Sequence, residues 1–177
     1  MKSRSRAGFA LSSIMIAMAL VALIGCSQSP TQPTTSEPRL LTRASAGSSG
    51  AALAPVNLYT EAIIPSSLGG TLSLLDVVLT VPAGAVKNDT LFSISIPDDE
   101  LFYNEFGTNG LLFAVPVTVT MSYRNADLSG ITESHIKLAW LDERTNAWKS
   151  MACVVDTVSK TVTGELYHFS AYGLISD

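Results

Sequence analysis

Few residues in this chain have the types and spacing that chemistry requires. The two histidines, His135 and His168, stand apart from any Glu, His or Cys at metal-ligand spacing, so no zinc site is indicated. His168 and Ser170 lie two residues apart in a segment that alternates like a strand. That spacing puts an imidazole and a hydroxyl on one face, where the first could take the proton of the second, and turns Phe169 toward the core. Asp98, Asp99 and Glu100, with Asn104 and Glu105, gather four carboxylates and an amide in one expected loop. They offer a calcium ion some oxygens, but EF-hand spacing is missing and a solvated acidic loop is the plainer reading. Trp140, Trp148, Tyr103, Phe102 and Phe106 would form either an aromatic platform for a glycan, through the loop at 98–110, or part of the core. There is no phosphate-cradling glycine loop, no G-x-S-x-G and no carboxylate pair on an expected scaffold. No cofactor is implied.

The elements that must position these residues are short and alternate. Tyr59–Ile64, Thr71–Leu75 after the Gly69-Gly70 turn, Val77–Val81, Thr90–Ile96 and Val115–Tyr123 read as strands. Ile136–Leu141 and Trp148–Val155 flank a turn at Glu143–Asn146, and Thr161–Leu166 and Phe169–Ile175 close the chain. No window sustains a helical period. About eight or nine strands separated by turn residues predict an all-β fold, a single antiparallel β-sandwich over residues 56–177. Cys153 falls in one of these strands and reads as a buried inert thiol, with an intermolecular disulfide as the other option.

Composition narrows the partners. The chain has 177 residues, 47% hydrophobic and 15% charged, with a net charge of −4. Three of its 11 basic residues (Lys2, Arg4 and Arg6) precede residue 26, which leaves eight against 15 acidic ones in the remainder. Such a balance excludes a nucleic-acid binder and argues against anionic lipid surfaces. Met1–Arg6 is a basic n-region, and Ala7–Ile24 is an uncharged, mostly apolar run of 18 residues. This is secretory signal architecture, though a run of that length could also just span a bilayer.

Leu23-Ile24-Gly25-Cys26 decides between the two, because it resembles the lipobox of bacterial lipoproteins. The resemblance implies a signal peptide over 1–25, with Leu23, Ile24 and Gly25 recognised by the signal peptidase. Cys26 becomes the new N-terminus, its thiol joined as a thioether to diacylglycerol. Two or three acyl chains give stable anchoring at about 0.8 kcal/mol per buried methylene. Ser27 stands where inner-membrane retention usually shows Asp, so an outer-membrane destination is favoured if the organism has two membranes. Residues 26–55 are rich in Ser, Thr, Pro, Ala and Gly and read as a flexible tether, with a reach of roughly 30 Å. The Leu40-Leu41 pair within them reads as incidental, with weak docking on another surface as the other option.

Three segments of the remainder, taken together, resemble the ZU-five domain, a β-sandwich of ankyrins, netrin receptors and bacterial surface proteins. They are Gly69–Leu72 running on to Val81-Pro82-Ala83-Gly84-Ala85-Val86, then Ile94–Pro97, then Leu138–Leu141, Asn146–Trp148 and Leu166–Tyr172. The last contains His168-Phe169-Ser170-x-Tyr172. In some members H-F-S is where the chain cuts itself. Carried over, Ser170 Oγ would attack the carbonyl carbon of Phe169, His168 would assist, and water would hydrolyse the resulting ester. The alternative is that Phe169 and Tyr172 simply pack. The leading expectation is a non-enzymatic, lipid-anchored envelope protein that displays an interaction or structural module. Its partners would be the membrane, through acylated Cys26, and an unidentified envelope protein or glycan. Self-processing between Phe169 and Ser170 and binding of an envelope glycan are the alternatives.

Overall fold

The computed structural model describes residues 38–44 and 58–176. The signal sequence, Leu23, Ile24, Gly25, Cys26 and most of the expected tether lie outside the described residues. Among the described residues the strands are β1 (Arg39–Leu40), β2 (Leu58–Ile64), β3 (Gly70–Leu74), β4 (Val77–Val81), β5 (Thr90–Ile96) and β6 (Tyr103–Gly107). They continue as β7 (Leu112–Ser122), β8 (Lys137–Asp142), β9 (Ala147–Ser150), β10 (Cys153–Asp156), β11 (Thr161–His168) and β12 (Ala171–Ser176). One 3-10 turn, Glu133–His135, separates β7 from β8.

The strands form two antiparallel sheets. One runs β2-β5-β6-β12-β8-β9 with β1 also on β12, and the other runs β10-β11-β7-β4-β3. Alternation explains which face is buried. In β4, Val77, Leu79 and Val81 are buried, and in β5, Phe92, Ile94 and Ile96 are. Each such side chain contributes about 1.5–3 kcal/mol on leaving water, and all of them but Ile96 belong to one core cluster between the sheets. Turn chemistry agrees with the strands. Gly69 (φ 70°) enters β3 where an added Cβ would lie 2.2 Å from the Val81 carbonyl oxygen, so no side chain fits. Gly84 of the V-P-x-G-A segment has φ 78°, the left-handed region that favours glycine.

The all-β sandwich is as expected, but the described residues form twelve strands rather than eight or nine. One addition is β6, within the segment read as an acidic and aromatic loop. Its Asn104 is buried in the core, with Nδ2 3.6 Å from Met121 Sδ, and Glu105 faces solvent. Another comes from Trp148–Val155, which is two strands in different sheets. β9 ends at Ser150, the chain crosses at Met151-Ala152, and β10 begins in the opposite layer.

The third addition is β1. Composition places residues 38–44 in the tether, yet they are built into the fold. Arg39 and Leu40 pair with Ser176 and Ile175 of β12, and Leu41 is 1% exposed. Leu41 exchanges backbone bonds with both neighbours, donating to the Leu174 carbonyl at 2.8 Å and accepting from Phe102 N–H at 3.0 Å. Arg43 pairs with Asp76 at the β3–β4 turn while its guanidinium carbon lies 4.2 Å from the centre of the Phe102 ring. Leu40 also packs where β12 carries Gly173, at which an added Cβ would lie 2.5 Å from Leu40 Cδ2.

Four carboxylates, Asp127 and Asp156 exposed and Glu133 and Asp142 half-buried, hold the turns and set a pH dependence. Glu133 is kept below the usual carboxylate range by Lys160 Nζ at 2.6 Å and by the Tyr123 hydroxyl at 2.9 Å. Asp156 is lowered by backbone and hydroxyl donation from Ser159 and by Val158 N–H, Asp127 by Ser129, and Asp142 by Thr145 and Arg144. These groups bind fewer protons folded than unfolded, so they stabilise the fold above the ordinary carboxylate range, and that stabilisation is lost as pH falls through their folded values. Thermal melts from about pH 7 to about pH 3 will show a falling midpoint, and Glu133→Gln will flatten that slope. An unchanged slope in the variant would remove Glu133 from the account.

Candidate functional site

The H-F-S segment sits where the chain passes from one sheet to the other. β11 ends at His168 in the five-stranded layer and β12 begins at Ala171 in the larger one, so Phe169 and Ser170 are the crossing itself. The expectation that His168 and Ser170 share one strand face is therefore corrected. A strand's two-residue period ends with the strand, and the register already shifts between Leu166 and His168. No hydrogen bond joins His168 to Ser170. The Ser170 hydroxyl donates to the Leu141 carbonyl at 3.3 Å, and its residue is 9% exposed. His168 packs edge-on to Trp140, ring centres 5.5 Å apart.

Phe169 is 1% exposed and meets three aromatic rings. Its centre lies 4.8 Å from Phe113 and 5.1 Å from Phe92, both edge-to-face, and 5.8 Å from Phe106. Tyr172 stacks on Phe106, and its hydroxyl donates to the His168 carbonyl at 2.8 Å. This bond runs four residues back around the crossing and ties it shut, as a tyrosine corner does in other sandwiches. Burial pushes the Tyr172 phenol well above its ordinary value, so it stays a donor. The backbone of the crossing is also satisfied. Phe169 N–H donates to Leu111 at 3.0 Å, Gly110 N–H donates to the Phe169 carbonyl at 3.3 Å, and His168 Nδ1 lies 3.4 Å from that same oxygen.

The other candidates fall in different places. Phe102 and Phe106, offered as part of a platform, are 1% and 2% exposed and belong to the core. Tyr103 and Trp148 do reach the outer face of the seven-stranded sheet, where their rings meet edge-to-face at 5.8 Å. Asp98 spends its carboxylate on Glu100 N–H at 2.8 Å, within a turn bridged to Thr42 through Leu101. Asp99 lines a separate hollow beside Arg43. Among the described residues, no three His, Cys, Asp or Glu side chains converge as metal ligands. Cys153 is half-buried rather than buried, its sulfur accepting Leu138 N–H at 3.3 Å. The reason is that β10 is an edge strand.

Sequence reasoning missed a trough of about 490 Å³ beside Tyr103. It crosses β2, β5, β6 and β12 on their outer face. Its floor is small residues: Ser93, Ser95, Gly107 and Ala171. Tyr59 stands on one side and Tyr103 on the other, and each hydroxyl donates to the glutamate two residues on, Glu61 and Glu105. Burial and the neighbouring Glu105 carboxylate raise the Tyr103 phenol far above its ordinary value, so it stays neutral. Asn109 and Glu143 join across one end, Nδ2 to Oε1, at 3.4 Å. The repeated Tyr-x-Glu, at 59–61 and 103–105, was the signal that could have found it.

No family model matches this chain, and no curated protein matches it.

Proposed function

We propose that this is a non-enzymatic, membrane-anchored lipoprotein of the cell envelope that displays its β-sandwich as an interaction module. The observation that carries the reading is the state of the one constellation with chemistry in it. Ser170 Oγ is spent on the Leu141 carbonyl, His168 lies against Trp140 and Tyr172, and Phe169 fills the core. H-F-S-x-Y is then the lock of a sheet crossing. Its likeness to the ZU-five segments supports a sandwich used for display, and the lipobox-like Leu23–Cys26 supports an acylated anchor, on the outer membrane in a two-membrane cell.

Denatured intact masses of the full chain and its Ser170→Ala twin test the non-enzymatic part. Both are expected at full length. Loss of residues 170–177 from the serine protein alone would instead establish self-cleavage. One observation favours that second reading: Gly110 N–H and His168 Nδ1 both approach the Phe169 oxygen, which would carry the negative charge of the tetrahedral intermediate. For the anchor, cells fed radiolabelled palmitate should label the chain, and Cys26→Ser should abolish the label.

A further inference from the structure

We infer that the trough on the outer face of the seven-stranded sheet binds a neutral, hydroxyl-rich saccharide chain. This rests on the display reading above and names the ligand class displayed to.

The trough's shape is built into the sheet pairing. Tyr59, Ser95 and Glu105 lie in one cross-strand row, and Glu61, Ser93 and Gly107 in the next. Ser95, Ser93 and Gly107 are small, so the floor beside Tyr59 stays low, while Glu105 and Tyr103 stand along β6. Gly107 is needed for this. A Cβ there would lie 2.3 Å from Ser93 Oγ, inside the hollow. Each phenol is fixed by its own glutamate, so the rings are held in place before any ligand arrives.

The chemistry of the lining then selects among ligands. Carboxylates at 61, 105 and 143 stand at or beside the trough, and among the described residues no Lys, Arg or His lines it. Phosphorylated or uronic chains would meet like charge with nothing to neutralise them. A lone cation fits poorly for a different reason. The Tyr59 and Tyr103 backbones stand two strands apart and two residues out of step, about 12 Å on the diagonal, so one ammonium would engage a single ring and leave the other uncovered. An extended peptide finds no partner either, because on the face of a sheet the backbone groups are already spent in the ladder. A chain of pyranose rings meets each feature. Its apolar ring faces cover the separated tyrosines, and its hydroxyls donate to Glu105 and Glu143 and exchange bonds with the floor serines.

The test is calorimetric titration of the full chain, in neutral detergent, with cellotetraose, chitotetraose and maltotetraose. Polygalacturonate and tetralysine serve as the anionic and cationic comparisons. At least one neutral tetrasaccharide is expected to saturate, with an affinity that does not move between about 0.05 and 0.5 M salt. Tyr59→Ala, a half-exposed site on an edge strand, should weaken it about two- to tenfold. Glu105→Gln should weaken it as well without altering the melting temperature. Failure of all three neutral sugars overturns the proposal, and so does binding indifferent to both substitutions. Tetralysine binding that disappears at high salt would assign the trough to a basic segment and also overturn it. The masses of the Ser170 pair keep the two readings apart. Full-length masses with no sugar bound would remove the ligand and leave the display module, whereas loss of residues 170–177 would remove the non-enzymatic reading whatever the titration gave.

Discussion

Phe169→Ala will cost about 3–5 kcal/mol of stability, the range for emptying a buried aromatic site, while Ser170→Ala one residue on will cost little. Phe169 is 1% exposed and touches Phe92, Phe106 and Phe113, rings carried by both sheets. Beyond burial, such edge-to-face pairs contribute about 0.5–1.5 kcal/mol each, and the cavity left behind cannot collapse because the crossing is tied by Tyr172 to His168. Domains are stable by about 5–15 kcal/mol, so the variant should lose more than about 10 °C in melting temperature. Ser170 gives up one hydrogen bond to Leu141, and its truncation should stay within about 1 kcal/mol. Chemical denaturation of both variants decides between packing and chemistry at this motif. A mild Phe169→Ala beside a severe Ser170→Ala would mean that the crossing is held by something other than its aromatic residues.

A second large effect is expected at a position whose surroundings in the sequence look unstructured. Leu41→Ala should cost about 2–5 kcal/mol, since the side chain is 1% exposed and belongs to the core cluster. Deleting residues 38–44 should cost more, because it also removes the bonds to Leu174 and Phe102, the Arg43–Asp76 pair and the cover over the Phe102 ring. Arg39→Ala, an exposed change on the same strand, should stay within about 0.5 kcal/mol. Urea midpoints of the three proteins are the measurement. If Leu41→Ala unfolds at the parent midpoint, the segment is tether after all. A fragment beginning at residue 50 would lack β1, so it should be less stable than the full chain.

What the sequence disclosed, and what it hid, follows from the range of each interaction. Individual strands were legible because alternation is local, as in Phe92, Ile94 and Ile96. Sheet membership was not. Trp148–Val155 and Leu166–Tyr172 both alternate straight through a crossing, and an apolar pattern carries no mark of which layer its partners occupy. Leu40-Leu41 was invisible as structure because two apolar residues cannot show a period; the hint lay far off at Gly173, a strand glycine that marks close approach. The trough was hidden for the same reason, since its rows join residues from 59 to 171 that only sheet pairing brings together. H-F-S was found as a motif, but its geometry was misread by extending a strand through the point where the chain turns.

The short arm at residues 38–44 has a mechanical meaning. It grips β12 and the start of β6 through Leu41, the β5–β6 link through the Glu100 carbonyl, the segment after β7 through the Asn125 carbonyl, and the β3–β4 turn through Asp76. Tension arriving from the N-terminal side is thus divided among both layers before any single strand bears it. Leu41 in the core makes the arm part of what it holds, so its loss would weaken both layers together. Residues 38–44 thus act as a clasp, with a hold spread over both layers of the sandwich.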